Sequence, residues 1–558
     1  MDRRNFLKKA GLVMGAGSIW PLVKGCKQHK DFGIIILGGR VFDGLGSEPV
    51  ETDVGIVGDQ IKQVGRIPAD KAKAVIDARG LCVCPGFIDV HNHTHAELLV
   101  NPHAESAVRQ GVTTLVSGNC GWSPHPLSAE EAADMGEYLK EKFNLELDWN
   151  DINGFFRRLS KRGMALNYST LVGQGSIRGA VVGNNDRPPK PEELEKMKVL
   201  VAKNIQAGAV GLSTGLGYAP GSFAQTDELI ELCKVAARLG GVYATHMRSE
   251  GDQLLEAVDE AIQIAREAKI SLQISHFKAS YPRNWNKLDE AIGKIEAARR
   301  EGIDVHCDRY PYIASSTGLA AYFPLWTRQG TAEEFVQRLQ DPELDAKLRA
   351  HLKKREQQHG SWDKVIIADL ITDKNKKYIG KNILECAQES GKEPYDFIRD
   401  ILIEEKRRVS KVAFTMSEDN LKKVLKHSLV GIGSDGYALA DHGPLSEGKP
   451  HPRSYGSFPR ALGKYVREEK LVPLAEMIRK LTSVPAKKFG LGPRGVISKD
   501  HIADLVVFDQ KTIIDKATFK NPHQYPEGIE YVLINGQPVV EKGAQTDRLP
   551  GKIVKKAT

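Results

Sequence analysis

The chain has 558 residues, more than one ordinary domain needs, and its 41% apolar and 27% charged content is typical of a globular protein. No run of about eighteen apolar residues occurs, which excludes an ordinary transmembrane helix. The net charge is +8, and residues 1–25 hold five basic and one acidic group, so the remaining +4 gives no indication of nucleic acid.

The first predicted element is an export signal over residues 1–26. A charged start precedes a weakly apolar segment, and the Arg3-Arg4 pair resembles the twin-arginine signature. The sequence VKGC, ending at Cys26, is similar to a lipoprotein cleavage box and makes that cysteine a candidate for lipidation. We predict an exported bacterial protein, periplasmic or anchored to a membrane through a lipidated N-terminus. The alternative is a basic, disordered N-terminus.

Short strands with turn signals are predicted near both ends of the remaining chain. Residues 31–85 contain FGIIILGGRVFDG and DVGIVGDQIKQVG, and residues 486–550 contain ADLVVFD and GIEYVLINGQPVV. The dipeptide turns in GDQ and NGQ separate these runs. We predict that both segments join in one small β-sandwich, which would bring the two ends of the chain together.

Residues 86–485 repeat one pattern, in which an apolar β-rich run is followed by a polar residue, a loop and an amphipathic helix. Apolar strands that alternate with helices indicate a parallel sheet covered by helices, and eight runs favour a closed (β/α)₈ barrel of the α/β class. The runs cover residues 86–93, 111–120, 165–173, 209–215, 240–248, 270–278, 303–312 and 429–436. Residues 320–420 are too many for one crossover, so we predict an inserted helical subdomain over the barrel mouth.

Most of these runs end in side chains that bind metals. His91 and His93 are two residues apart on a strand, so both point to the same side and can reach one ion. Four further runs end in Cys120, His246, His276 and Asp435. Thiolate and imidazole ligands favour zinc over magnesium or calcium. We predict one site from Cys120, His246 and His276, and a second, more open site from His91 and His93 with Cys120 as a candidate to be shared.

Such a site is suited to amide hydrolysis. Zinc lowers the pKa of bound water from about 15.7 to about 7, and the resulting hydroxide can attack an amide carbonyl. The departing nitrogen must gain a proton, which a carboxylate beside the metal can transfer from the water. Asp435 is the candidate acid/base. His95 and His306 are predicted to pack rather than bind metal, and Lys278 is predicted to be a structural cation.

Several motifs resemble a known family. PGFIDVHNH, ATHMR, ISHFK, GSDG and ADLVVFD look like the amidohydrolase superfamily. SGNCG, STGLGY, DRYPY and HPRSYGSFPRALGKY resemble its N-acyl-D-amino-acid deacylases, the D-aminoacylases. The resemblance covers residues 31 to 545, approximately, and implies a (β/α)₈ barrel, a β-sandwich and zinc-dependent removal of an N-acyl group from a D-amino acid.

The resemblance also implies roles for individual residues. It implies a tight zinc on Cys120, His246 and His276, a weaker site on His91 and His93, and Asp435 as the acid/base. Contacts to the substrate carboxylate would fall on Arg453, Ser316 and a tyrosine of DRYPY, for which Tyr310 is chosen over Tyr312. An arginine fork matches a carboxylate bidentately, which supports Arg453 independently.

We therefore predict a zinc-dependent hydrolase of small N-acyl-D-amino acids, with no protein partner indicated. One alternative is a cyclic-amide hydrolase of the hydantoinase or dihydroorotase type, or a dipeptidase that releases a D-residue, on the same scaffold. Another is a catalytically silent metal-binding surface protein. The fourth strand, AVGLSTG, lacks the lysine that bridges two metals in many superfamily members, which weakens the cyclic-amide alternative.

Overall fold

The computed structural model describes residues 30–556, so the predicted signal segment and Cys26 lie outside the described residues. In chain order, the strands are β1 (Phe32–Val41), β2 (Val50–Val57), β3 (Gln60–Val64), β4 (Ala72–Asp77), β5 (Cys82–Pro85), β6 (Phe87–Asp89), β7 (Val112–Ser117), β8 (Asn167–Thr170), β9 (Val172–Gly173), β10 (Gly211–Gly215), β11 (Val242–His246), β12 (Ser271–Ile274), β13 (Val305–Arg309), β14 (Ala314–Gly318), β15 (Val365–Asp369), β16 (Ser410–Phe414), β17 (Val430–Ile432), β18 (Leu505–Phe508), β19 (Ile529–Ile534), β20 (Gln537–Glu541) and β21 (Ala544–Gln545).

The α-helices are α1 (Glu97–Val100), α2 (Glu105–Val108), α3 (Ala129–Phe143), α4 (Ile152–Arg162), α5 (Gln174–Val182), α6 (Pro191–Ala207), α7 (Thr226–Arg238), α8 (Leu254–Ala268), α9 (Leu288–Arg300), α10 (Ala332–Gln340), α11 (Pro342–His359), α12 (Ile383–Ser390), α13 (Pro394–Glu404), α14 (Glu418–Lys426), α15 (Arg453–Arg460), α16 (Leu474–Leu481) and α17 (Ser483–Phe489). Among the described residues, no helix has both the length and the apolar character needed to cross a membrane.

Eight parallel strands form a barrel, which confirms the predicted fold class. β6, β7 and β8 pair in that order, and β9, β10, β11, β12, β13 and β17 form a second parallel series. Only Leu171 separates β8 from β9, so they act as one barrel strand. A parallel bridge between Asn92 and Gly436 joins the segments that follow the first and last strands. The carboxyl ends of all eight strands therefore meet at one rim.

The helices that follow these strands bury apolar faces against the barrel. Val201 and Ile205 of α6, and Leu232 of α7, belong to the same buried cluster as Leu212 and Tyr243 on neighbouring strands. Strands β7 and β10 are buried along their whole length, because side chains on one face fill the barrel and those on the other contact helices. This packing fixes where each strand ends and hence where its terminal polar side chain lies.

Strands from both ends of the chain form a second structural unit, as predicted. They make one nine-stranded sheet in the order β21, β20, β19, β18, β5, β1, β2 and β3, with β4 paired to β1. The two ends join where β5 pairs antiparallel with β18. Ile36, Val54 and Val83 from the N-terminal strands share one buried cluster with Leu505 and Leu533 from the C-terminal strands. The sheet encloses this core beside the barrel.

The sequence predicts a helical insertion, but the insertion also contains β-structure. It contains a three-stranded antiparallel sheet in the order β14, β16, β15, with α10 to α13 around it. Its apolar core includes Phe323, Phe335 and Trp362. The short run VIIAD forms β15 and SKVAF forms β16, and runs of five residues carry too little periodicity to separate strand from helix. The inserted unit therefore begins earlier than predicted, at β14.

Candidate metal centre

The chain turns sharply where three of the barrel strands end. Cys120 follows β7, His276 follows β12 and Asp435 follows β17, and each has a positive φ, of 54°, 37° and 53° respectively. Residues other than glycine adopt this left-handed region at a cost in free energy, and such strain often occurs at functional sites. The turns direct a thiol, an imidazole and a carboxylate into the barrel mouth.

Six predicted side chains meet at the rim in two overlapping groups. His91, His93, Cys120 and Asp435 form the first group, and Cys120, His246 and His276 form the second. Within each group the candidate ligand atoms lie within 4.8 Å of one another. The Sγ of Cys120 lies 3.3 Å from Nε2 of His91 and 3.5 Å from Nε2 of His276. Cys120 therefore stands between the two groups, as a shared ligand would.

Asp308, at the end of β13, orients His91. One carboxylate oxygen of Asp308 accepts from Nδ1 of His91 at 2.9 Å and from the backbone N–H of His276 at 2.8 Å. The other accepts from Nε2 of Gln273 at 2.8 Å. With Nδ1 of His91 held by Asp308, Nε2 is the ring nitrogen that faces Cys120 and Asp435.

A partly buried ion pair between Lys278 and Glu250 lies on the other side of His276. Lys278 donates to a carboxylate oxygen of Glu250, and its Nζ lies 3.0 Å from Nδ1 of His276. The same Glu250 oxygen lies 2.6 Å from that Nδ1. Although burial opposes ionisation, the charges of Lys278 and His276 lower the pKa of Glu250 below its ordinary value. Lys278 is thus placed as a structural cation, and Nε2 of His276 faces Cys120 and His246.

Asp435 connects the metal ligands to the predicted substrate contacts. Its Oδ1 lies 2.8 Å from Nε2 of His93 and 3.3 Å from Nε2 of His91. Its Oδ2 accepts from Nη1 of Arg453 at 2.6 Å. Arg453 also donates through Nη2 to the backbone oxygen of Ser316, at 3.4 Å.

Tyr310 completes this group. Its ring lies 4.8 Å from the guanidinium carbon of Arg453, and its buried hydroxyl has no hydrogen-bond partner among the described residues. Burial raises the pKa of this hydroxyl, but Lys278, Arg309 and Arg453 outweigh burial and lower it. A buried hydroxyl among three cations is suited to contact a carboxylate. The structure brings Arg453, Ser316 and Tyr310 together, and their substrate roles stay predictions.

The electrostatic environment favours the anionic forms of the two acids at the rim. Burial raises the pKa of the Cys120 thiol, but the imidazoles of His91 and His276 lower it well below its ordinary value. Burial also opposes ionisation of Asp435, and Arg453 and His91 nevertheless hold its pKa well below the usual range. The surroundings of both groups therefore favour the anionic forms that bind a metal ion.

The donor set fits zinc. It offers one thiolate, imidazole nitrogens and one carboxylate, and two of the imidazoles are oriented by buried carboxylates. His95 is in neither group, because its Nδ1 lies 2.9 Å from the Tyr168 hydroxyl and its ring packs against Trp122. His306, within β13, is also outside both groups.

Sequence reasoning missed three acids that support the centre. Asp308 is the first residue of DRYPY, and Glu250 follows His246 by four residues. Asp89 accepts from the backbone N–H of Ser434 at 2.8 Å and from Nδ2 of Asn92 at 2.9 Å. Asp308 and Asp89 lie at strand ends, which was the available signal, but their partners come from distant strands.

Replacement of Asp308 by Ala is expected to weaken zinc binding about 10- to 100-fold, because His91 loses the acceptor that fixes its tautomer. Zinc affinity by competition with a chelator, together with circular dichroism, measures this effect. Asp259→Ala is the control, because Asp259 is an exposed acid that pairs with Lys294 and belongs to neither candidate ligand group. Equal zinc affinity in the two variants would contradict the role given to Asp308.

The chain is similar in sequence to several known proteins. The chain matches the sequence profile described as the amidohydrolase family over residues 74–357 and 397–540. It is 33% identical over 538 residues to a D-aminoacylase from Alcaligenes xylosoxydans xylosoxydans, with 94% of this chain and 98% of the relative covered. An N-acyl-D-glutamate deacylase from the same organism is 33% identical over 525 residues, with 94% and 96% covered.

Solved structures are similar to this chain in fold as well as in sequence. A crystal structure of N-acyl-D-glutamate deacylase from Bordetella bronchiseptica, complexed with zinc and a phosphonate inhibitor, gives a TM-score of 0.80 at 31% identity over 94% of this chain and 100% of that one. A crystal structure of D-aminoacylase gives 0.78 at 33% identity with the same coverage. An L-hydantoinase from Arthrobacter aurescens, at 17% identity and a TM-score of 0.54, shares the fold. The predicted resemblance is confirmed, and the chain belongs to the amidohydrolase family.

Proposed function

We propose that the chain is a zinc-dependent N-acyl-D-amino-acid deacylase, which cleaves a linear amide into a carboxylate and a free D-amino acid. The observation that carries this proposal is the contact of Asp435 with His93 on one side and Arg453 on the other. It puts a proton-transferring group between the metal ligands and a cation suited to a substrate carboxylate. The characterised relatives are a D-aminoacylase and deacylases of N-acyl-D-glutamate and N-acyl-D-aspartate.

Cys120, His246 and His276 would hold one tight zinc, and His91 and His93 a weaker second one with Cys120 shared. When bound, zinc supplies a Lewis acid that acidifies water and polarises the acyl carbonyl. A binuclear centre with one-metal activation and second-metal attenuation is described for a D-aminoacylase structure of 33% identity. That precedent supports activity with the tight site alone.

The chain's own residues bind the substrate and move the proton. Arg453 and the Tyr310 hydroxyl would receive the α-carboxylate, with Ser316 beside them. Asp435, kept ionised by Arg453, would accept a proton from the attacking water and donate it to the departing nitrogen. Because 94% of Asp435 is shielded from solvent, the proton stays available for this transfer.

The proposed function is tested by a substrate screen on zinc-loaded protein. N-acetyl-D-amino acids should be hydrolysed, whereas their L-enantiomers, hydantoins and dipeptides should not. Metal content is counted in the same sample. Cleavage of hydantoins alone would favour the cyclic-amide alternative, and zinc-loaded protein inert toward every amide would favour a metal-binding surface protein.

Asp435→Asn is expected to keep its zinc while turnover falls at least about 1,000-fold, because an amide cannot accept the water's proton. Metal analysis and kcat on an N-acetyl-D-amino acid measure the two effects. Asp441→Asn, an exposed acid on the same loop, serves as the control and should retain activity. Normal turnover in Asp435→Asn would refute the acid/base role.

We also propose that the chain is exported, on the basis of residues 1–26 alone. Replacement of Arg3 and Arg4 by lysine should retain the protein in the cytoplasm, because the twin-arginine pathway reads the arginine pair. Cys26→Ser should leave export intact and move the protein from the membrane to the soluble periplasmic fraction. Cell fractionation with immunoblotting follows both. Membrane association of Cys26→Ser equal to that of the parent would contradict lipidation.

A further inference from the structure

Several basic side chains of the insertion lack an ion pair among the described residues. Three of them are Arg328, Arg355 and Lys411. Among residues 30–556, no carboxylate oxygen lies within 4.0 Å of the charged nitrogens of any of them. Partly buried cations without a counter-ion destabilise a fold, so a bound anion would stabilise this part of the protein. We call these three residues the basic cluster.

Arg328 is the member nearest the metal centre. Its Nη1 donates to the backbone oxygen of Gly217 at 3.3 Å, and its Nε is buried without a hydrogen-bond partner. A Cβ placed on Gly217 would lie 3.1 Å from Nε2 of His246, and the neighbouring Tyr218 ring lies 4.6 Å from the His246 ring. Arg328 is therefore separated from a candidate zinc ligand by only one backbone segment.

Lys411 and Arg355 lie on neighbouring elements of the insertion. Lys411 is opposite Thr317 across the sheet, and its Nζ contacts the Tyr322 ring, which packs against His359, one helical turn after Arg355. Burial, together with the charge of Arg355, lowers the pKa of Arg328 to about 10. Burial and Arg355 together lower the pKa of Lys411 to about 7. Lys411 is only 2% exposed, with its Nζ 4.3 Å from the centre of the Tyr322 ring. Each cation thus destabilises the next, and a bound anion would relieve all three.

The rim carries a second guanidinium on its other side. Arg453 is engaged by Asp435 and the backbone of Ser316, and Thr317, the next residue of β14, donates to the Tyr218 hydroxyl at 3.3 Å. The strand β14 therefore runs from the Arg453 side of the rim to the Arg328 side. A substrate spanning this distance would meet one cation at each end.

A third flank of the rim is aromatic. Trp122 is 45% exposed and its ring lies 4.9 Å from that of His95. Tyr437 is 43% exposed and its ring lies 5.8 Å from that of His93. Exposed aromatic rings are suited to contact an apolar acyl group. With the acyl group on this flank, the amino-acid side chain would lie at the basic cluster.

We propose that Arg328, supported by Arg355 and Lys411, binds a second substrate carboxylate, so that the preferred substrates are N-acyl derivatives of acidic D-amino acids. This inference rests on the proposed deacylase function. It goes further by assigning the side-chain specificity to one guanidinium, which can grip a carboxylate bidentately.

The test compares N-acetyl-D-glutamate with N-acetyl-D-glutamine, which has the same shape without the charge. The parent protein should prefer the glutamate derivative by about 30-fold in kcat/KM, as expected for a charge-assisted pair in a partly desolvated site. Arg328→Met should remove this preference by lowering kcat/KM for the glutamate derivative alone. Zinc content should not change.

Arg349→Met is the matched control. It removes an arginine of the same insertion that pairs with Asp396 on the protein surface, so the preference should persist. Arg328→Lys should retain part of the preference, because the charge remains but the fork is lost. N-succinyl-D-leucine, with its extra carboxylate on the acyl side, should gain nothing over N-acetyl-D-leucine.

Three results would overturn the inference: equal kcat/KM for the glutamate and glutamine derivatives in the parent, equal losses for both in Arg328→Met, or a preference for the succinyl substrate. Calorimetric binding of the two acetyl derivatives to Asp435→Asn protein makes the same comparison without turnover. If neither N-acetyl-D-glutamate nor N-acetyl-D-leucine is cleaved, the proposed deacylase function is wrong. The binding comparison still tests the role of Arg328 in that case.

Discussion

The contact between the first and last barrel strands holds the centre in place. The backbone N–H of Asp435 donates to the oxygen of His91 at 2.7 Å, and that of His93 donates to the oxygen of Gly436 at 2.9 Å. Asp89 accepts two further hydrogen bonds, from the backbone N–H and the hydroxyl of Ser434. These bonds join residues more than 340 positions apart, so the acid/base candidate meets its histidines only after the barrel has closed. The candidate site is therefore complete only when the barrel is closed.

The overlap of the two donor groups at Cys120 has a consequence for metal binding. Because one thiolate lies between imidazoles of both groups, two bound ions would have to share it as a ligand. The positive φ of Cys120, His276 and Asp435 adds strain that the surrounding barrel must hold. Because the anionic forms of Cys120 and Asp435 depend on neighbouring imidazoles, metal binding, protonation and local folding are linked.

The residues at the strand ends could be predicted from the sequence, whereas the side chains that contact them across the sheet could not. Eight apolar runs ending in polar residues were enough to place His91, Cys120, His246 and Asp435 on one rim, because parallel strands of a barrel share a direction. Asp308 escaped notice because it lies within the predicted run 303–312, and its function depends on which side chain is beside it across the sheet. The sheet of the insertion was missed for a different reason: five-residue runs give no periodicity from which to choose between strand and helix.

The positions of the cations bear on stereochemistry. In the proposed arrangement, the α-carboxylate would lie at Arg453, the scissile amide beside Asp435 and the side chain at Arg328, so three substituents of the substrate's Cα would each have a separate position. Three fixed positions distinguish a chiral centre from its mirror image, because exchanging two substituents moves at least one of them off its partner. An acidic side chain makes that discrimination stronger, since the misplaced group would leave a partly buried guanidinium unpaired as well as losing its own contact. In this arrangement the insertion that carries Arg328 would contribute to selection of the enantiomer as well as of the side chain.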